Sequence, residues 1–403
     1  GNDSLGGGTG NDLILGGAGG DKIDGGTGND KIDGGDAEDT ITAGDGDDSV
    51  LAGAGNDVVD GGNGLDTIRG GDGLDIITGG AGADRLFGDG GNDNITGNTG
   101  SDYIDGGDGN DILEGGFGGA NSTEPENDTI VGGAGNDTVN ANVGDDSVMG
   151  DGGADSISAG VGNDTVRGGT ENDTIWGNEG NDSLYGDDGN DNVYGGGEND
   201  YISGGAGNDN LRGDNFSGTS DVVGDDTLDG DAGDDNLSGG YGNDVLRGGA
   251  DNDTVNGGDG QDTLDGGTGR DFLDGGTGAD TMTGGEGFDT FVAGDGDKIT
   301  DFNIAGGQNI RNNSQFDNDF VDLSGYYNKA NLALINQARA ASGQPEYGNP
   351  LAWLRGDQAD GVLNDLQGQT VGGTALPSFN FTIQTGGTKV AGGDLTHDNT
   401  NVL

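Results

Sequence analysis

The chain has no cysteine, one histidine and four prolines, and Lys and Arg together number only 14 in 403 residues. Without cysteine there are no disulfides and no thiolate metal sites, and a single histidine excludes the usual zinc ligand sets. Hydrophobic residues make up 28% and aromatics 5%. So little apolar surface does not offset the entropy of ordering a chain of this length. No apolar run approaches the ~20 residues of a membrane-spanning helix, so membrane insertion is not expected. Glycine is abundant, with 98 residues, and so is acid, with 75, for a formal net charge of −61. Such a charge excludes nucleic acid and anionic membrane surfaces as direct partners. Composition alone describes a self-repelling, disordered polymer, and whatever folds it must bring positive charge in bulk.

The acid is not scattered. An aspartate recurs every nine residues in three runs. The first is Asp3, Asp12, Asp21, Asp30, Asp39, Asp48, Asp57, Asp66, Asp75, Asp84, Asp93, Asp102 and Asp111. The second is Asp128, Asp137, Asp146, Asp155, Asp164, Asp173, Asp182, Asp191, Asp200 and Asp209. The third is Asp226, Asp235, Asp244, Asp253, Asp262, Asp271, Asp280 and Asp289. Two residues after each of these 31 aspartates stands a large apolar residue, from Leu5, Ile14 and Ile23 to Met282 and Phe291. Most units read Gly-Gly-x-Gly-Asn-Asp or a close variant, as in Gly25 to Asp30. Three residues with the middle one inward predict a short half-buried strand. The six around them predict a turn in which Gly, Asn and Asp accept left-handed conformations. One unit cannot bury its single apolar side chain, so the units must stack into a solenoid.

The consensus GGxGxDxUx over residues 1–297 resembles the repeats-in-toxin (RTX, haemolysin-type) calcium-binding nonapeptide. That resemblance implies an all-β fold: a parallel β-roll (right-handed β-solenoid, 18 residues per coil) with two nonapeptides in each coil. It also implies calcium between successive turns on each edge, held by the 31 aspartates and by backbone carbonyls of the Gly-rich loops. Calcium takes six to eight oxygens, which a turn offering only oxygen supplies. Turns alternating between two edges form columns of 16 and 15 aspartates, whose gaps would take about 29 ions carrying +58 against −61. Without calcium the columns repel and the chain expands; with it, binding free energy becomes folding free energy. The bland alternative, a metal-free Gly/Asp repeat, leaves the charge unopposed. At Ala37, Glu171, Glu198 and Asp251 a loop glycine is replaced, which predicts altered backbone geometry there. Lys298 stands where the next aspartate would fall, and it is expected to end its column.

Beyond the array, residues 298–403 are expected to form a small α+β C-terminal cap over the open end of the roll. Residues 299–302, 319–324 and 379–383 read as strands. The first two resemble the closing segment that follows RTX arrays. Residues 328–341 read as a helix with Leu332, Ile335 and Ala338 on one stripe. Asn349 and Pro350 open a second helix to about residue 359, with Gly361 as its stop. The end, 398–403, resembles the junction preceding the Cys of a Hedgehog/intein-like autoprocessing domain; that Cys is absent here, and autocatalytic cleavage of a longer precursor or plain truncation would each leave such an end. His397 reads as an ordinary polar residue.

No catalytic constellation is present: no HExxH, no GxSxG, no GxxxxGK[ST]. The paired carboxylates are expected to hold calcium rather than to move protons. A binding surface finds some support. Trp176 and Tyr194 are outward neighbours on one face and Tyr185 and Tyr201 on the other, with cross-strand packing as the plain alternative. Thr227, Thr263 and Thr281 recur too irregularly for an ice-binding array. The function read from the sequence is a secreted calcium-binding structural protein. It would be a calcium-folded rigid rod for extracellular matrix, cell surface or filament assembly, leaving the cell by type I-like export as the resemblance implies. The alternative is the C-terminal calcium-binding and secretion module of a larger secreted enzyme, toxin or adhesin. Finally, Asp111 to Asp128 and Asp209 to Asp226 are each 17 apart, nine plus eight. Loops at about 115–128 and 213–226 therefore gain eight residues each. Both belong to even-numbered turns, which predicts one shared edge and contact with other copies of the chain or cell-surface material. Neutral insertion is the alternative.

Overall fold

The computed structural model describes residues 1–116, 126–214, 224–287, 289–293 and 297–300. Beyond these it describes only the backbones of five short strands: Phe320–Asp322, Thr370–Val371, Thr374–Ala375, Thr382–Thr385 and Thr388–Lys389. The chain forms two compact units, Gly1–Val223 and Gly224–Leu403. Among the described residues no helix is long and apolar enough to cross a membrane.

In the first unit a strand begins one residue after each key aspartate: Ser4–Thr9, Leu13–Ala18, Lys22–Thr27 and onward. The first strand pairs in parallel with the third and the second with the fourth, placing Leu5 opposite Ile23 and Ile14 opposite Ile32. Each offset is eighteen residues and recurs along the unit. Odd strands thus build one parallel sheet and even strands a second, and the chain crosses between them at every turn. This is the expected β-solenoid. The second unit repeats it, with Thr227–Ala232 paired to Val245–Ala250 and Asn236–Tyr241 to Thr254–Gly260.

The strands are six residues long, twice the expected length. Their second and fourth residues both point inward, and the fourth is Gly or, at Ala43, Ala52, Ala141 and Ala159, a fully buried Ala. A Gly-Gly pair shows no apolar alternation, yet ladder hydrogen bonds need only backbone, so the strand runs through it. Behind each sheet lies a single file of apolar side chains, such as Ile23, Ile41, Val59 and Ile77 in one and Ile32, Ile68, Leu86 and Ile104 in the other. Burying one such side chain contributes ~1.5–3 kcal/mol. Ordering nine backbone residues costs ~1–2 kcal/mol each, so the core alone does not hold a coil.

At the first insert Tyr103 pairs with Thr129 and Ile112 with Thr138, an offset of 26, eighteen plus eight. The extra residues leave both ladders in register. The inserted segments 117–125 and 215–223 lie outside the described residues, and so does the expectation that they share an edge.

The register does not stop at Lys298, and here the expectation is corrected. Lys298 pairs with Thr281 and Ile299 with Met282, and Ile299 is fully buried in the core file. Asp297, also fully buried, takes the aspartate position: its Oδ1 accepts the Asp280 N–H at 3.0 Å across 17 residues. The loop before it is one residue short, which a strict count of nine misses. Phe320–Asp322 then pairs with Thr290–Val292, and Thr382–Thr385 with Lys298–Ile299, so C-terminal strands add to both sheets. The helices expected at 328–341 and 349–359, and the end 398–403, lie outside the described residues.

Candidate metal columns

Each key aspartate ends a loop and begins a strand, so the stacking that aligns strands also aligns carboxylates. One oxygen of each is committed to the preceding coil. Oδ1 of Asp39 accepts the Asp21 N–H at 2.7 Å, Asp57 that of Asp39 at 2.7 Å, and Asp75 that of Asp57 at 2.8 Å. The pattern crosses the first insert, where Asp128 accepts from Asp102 at 2.7 Å. In the second unit it continues from Asp226 donating to Asp244 at 2.8 Å to Asp271 donating to Asp289 at 3.0 Å. Every key aspartate from Asp21 to Asp289 is at most 3% exposed. Asp12 is half-buried, and Asp3, at the start of the stack, is exposed.

The other oxygen is unsatisfied. From Asp12 through Asp191, and again at Asp253, Asp262, Asp271 and Asp280, Oδ2 is buried with no hydrogen-bond partner. A buried carboxylate oxygen without a partner is strongly unfavourable unless a cation meets it. A column of them compounds the problem. Burial pushes the carboxyls up, the backbone hydrogen bond opposes, and repulsion from nearby acids, either column aspartates one coil apart or other loop acids, adds to the rise. Asp57, Asp93, Asp155, Asp164 and Asp253 rise to about 6. Asp66, Asp102, Asp137, Asp146 and Asp271 rise to about 7, and Asp128 to about 8. Without a cation the carboxyls at about 7, and Asp128 above all, stay substantially protonated at neutral pH.

The donor chemistry fits a hard cation. Backbone carbonyls crowd the carboxylates: a Cβ on Gly266 would stand 2.6 Å from both Oδ2 of Asp271 and the carbonyl oxygen of Gly284. Among the described residues no three carboxylates converge on one point. An ion here would therefore draw on one or two carboxylates of successive coils and complete six to eight oxygens with carbonyls, as calcium accepts.

Two features of the loops differ from the sequence reading. Ala37, Glu171, Glu198 and Asp251 keep the left-handed geometry of the glycines they replace, with φ of 82°, 74°, 69° and 78°. The carboxylates of Glu171 and Glu198 accept the N–H of Gly153 at 3.1 Å and of Gly180 at 3.0 Å, which offsets the ~1–2 kcal/mol of strain. The residue before each aspartate, read only as a turn former, builds a second ladder. Oδ1 of Asn11 accepts the Asn29 N–H at 3.0 Å, and Oδ1 of Asn163 that of Asn181 at 3.0 Å. Its direction opposes that of the aspartates: Asp accepts from the coil before, Asn from the coil after. The recurrence of Asn at this place was the available signal.

Compared with known proteins, the chain matches the family model described as RTX calcium-binding nonapeptide repeat (4 copies) in overlapping stretches. These cover residues 1–32, 33–68, 60–95, 87–119, 123–157, 158–193, 185–219, 223–255, 238–273, 256–291 and 274–297. Among solved structures it is similar to a hyperactive, Ca2+-dependent, β-helical antifreeze protein from an Antarctic bacterium. The two are 20% identical over 95% of this chain and 94% of that one, with a TM-score of 0.28. No curated protein matches.

Proposed function

Because the chain belongs to the RTX calcium-binding nonapeptide repeat family, we propose that its 31 key aspartates and Asp297 hold the calcium and that the protein is a secreted structural element folded by that metal. The observation that carries this is the buried, unpartnered Oδ2 repeated along the stack. Calcium supplies two positive charges and a preference for oxygen, and the chain does the rest. Oδ1 of each aspartate fixes the carboxylate on the preceding coil, the Gly-rich loop brings carbonyls beside Oδ2, and the asparagine ladder holds successive loops in register. Asp297 adds one gap to the column ending at Asp280, for about 30 ions. Extracellular calcium, near millimolar, suits loops whose members bind weakly and fold together, and cytosolic calcium does not. Folding after export through a type I-like system follows from that difference. A matrix, cell-surface or filament role accords with a chain in which carboxylates serve the fold and no catalytic constellation was read from the sequence. Residues 298–403 act as the cap, and the inserts at 115–128 and 213–226 as contacts with other copies or cell-surface material.

The test is circular dichroism of the purified chain with calcium and with excess chelator, paired with metal counting on the calcium form. The expected result is a reversible coil-to-β change and about 30 bound calcium ions. A β-signal that persists after exhaustive chelation, with no metal bound, refutes the reading.

A further inference from the structure

Two patches on the outer face of the even-strand sheet share a four-residue core, the first with Arg85 added 4.7 Å over its Tyr103 ring where the second has Ser183. In the first, Arg69 lies over the Phe87 ring, 4.4 Å from its centroid, and donates to Oδ1 of Asp89 at 2.5 Å. Phe87 meets Tyr103 with centroids 5.6 Å apart and planes at 47°. In the second, Arg167 lies 4.4 Å over Tyr185 and donates to Oδ1 of Asp187 at 2.8 Å, while Tyr185 meets Tyr201 at 5.8 Å and 55°. Asp89 and Asp187 share a left-handed backbone, with φ of 70° and 72°. Each member of the second patch stands 98 positions after its counterpart, and so do the ends of the two inserts, Asp128 and Asp226. The array is thus a repeated cassette of ten nonapeptides and one insert, with the patch at a fixed place in it.

The rest of the surface does not keep step. Trp176 and Tyr194 stack on the other sheet with centroids 6.0 Å apart, but Thr78 and Thr96 hold their places in the earlier cassette. Both even-face patches lie in the first unit, joined by consecutive ladder partners from Thr67–Asp72 to Thr165–Thr170. Five ladder steps of ~4.8 Å put them ~24 Å apart on one straight line.

Each patch sets aromatic rings, partly exposed, beside a paired guanidinium and carboxylate. That combination serves a pyranose ring. Its C–H face packs on an aromatic side chain, while adjacent hydroxyls accept from Arg and donate to Asp. The guanidiniums of Arg69 and Arg167 are each already paired with a carboxylate, which leaves them little net positive charge to offer a polyanion. Two such patches in line suit an extended polymer that reaches both at once. We propose that this face binds an uncharged, extended β-linked polysaccharide, one segment at each patch.

The test is titration calorimetry of the calcium-loaded chain with hydroxyethylcellulose, with cellobiose, which is too short to span the patches, and with heparin. Binding of the polymer about 10²–10⁴-fold tighter than the disaccharide is expected from two-site engagement. Replacing Tyr185 and Tyr201 by Ala should reduce polymer affinity to that of one patch, and adding Phe87→Ala and Tyr103→Ala should abolish it. Arg167→Lys, which keeps charge and size but loses the planar fork, should weaken one patch in the same way. Calcium-dependent circular dichroism of each variant shows that the fold is kept. No polymer binding by the parent chain, polymer affinity indifferent to these variants, or a preference for heparin overturns the proposal. So does a change in sedimentation of the variants without any sugar binding, which would assign the face to a second copy of the chain.

Discussion

Replacing Asp137 by Asn separates what a column carboxylate does with calcium from what it does without. Its Oδ1 accepts the Asp111 N–H at 2.8 Å, and its Oδ2 is buried with no hydrogen-bond partner. Asn keeps an oxygen for the first role and puts a neutral amide in the second. In the metal-free chain at pH 8 the substitution removes a charge opposed by burial and by Asp155 and Asp111, the opposition that raises this carboxyl to about 7. The metal-free state should lose no β-structure and should gain it wherever some is present. In calcium the sign reverses. Asp137 borders two gaps in its column, and an ion present at a hundred times its dissociation constant contributes ~2.7 kcal/mol. Weakening one or two ions therefore costs ~3–5 kcal/mol, a fall in Tm of roughly 6–20 °C for a unit of this size. Thermal melts of parent and variant, in calcium and in chelator, read both signs. Equal destabilisation in the two buffers would show that the side chain acts only through packing or through its Oδ1 bond. An unchanged melt in calcium would remove Asp137 from the ligands altogether.

Carboxyls raised from 3.8 to about 6–8 make the metal-free fold pH-dependent. Because the shift is upward, their contribution is fully present below about pH 4 and is lost as pH rises through 6 to 8. The β-signal in chelator should be strongest at acid pH, and calcium added at pH 7 should release protons that an indicator dye records; β-content rising with pH contradicts this. Ile104→Ala, in the fully buried file, should cost ~2–5 kcal/mol, while Ile112→Ala, 48% exposed on the outer face, should cost well under 1 kcal/mol in calcium melts. Asp297→Asn should lower the calcium count and the stability of the second unit, while Lys298→Ala should leave both unchanged; the reverse ranking would restore Lys298 to the aspartate position.

Much of this architecture lies open in the sequence because one count runs through it. The spacing of nine places Asp21, Ile23 and their kin, and the pairing offset of eighteen follows once alternate units share a sheet. The insert of eight between Asp111 and Asp128 reads directly as a loop, since neither flanking strand loses its apolar residue. What the count hides is whatever does not repeat by side-chain type. The Gly-Gly half of each strand shows no alternation, although its backbone carries the ladder. Asp297 follows a loop one residue short, so a rigid count passes it and lands on Lys298. The likeness of Arg69 and Phe87 to Arg167 and Tyr185 appears only at a period of 98, far longer than the one that dominates the eye. The asparagine ladder was half legible: recurrence marked the position, but only the stacked loops show which N–H each side chain meets.

The opposed ladders also say how such a stack yields to tension. Each coil is tied backward through Asp and forward through Asn, and these ties lie in series along the axis. A pull on one end therefore loads the last coil until its ties fail together, and only then reaches the next. A freed coil turns a rise of ~4.8 Å into eighteen residues of extended chain, ~60 Å at full stretch. An array so tied should behave as a ratcheted tether, giving length in equal increments and rewinding one turn at a time against the template that remains. If ions fill its edges as proposed, they would set the force at which it slips, and the same thread would be stiff where calcium is plentiful and slack where it is scarce.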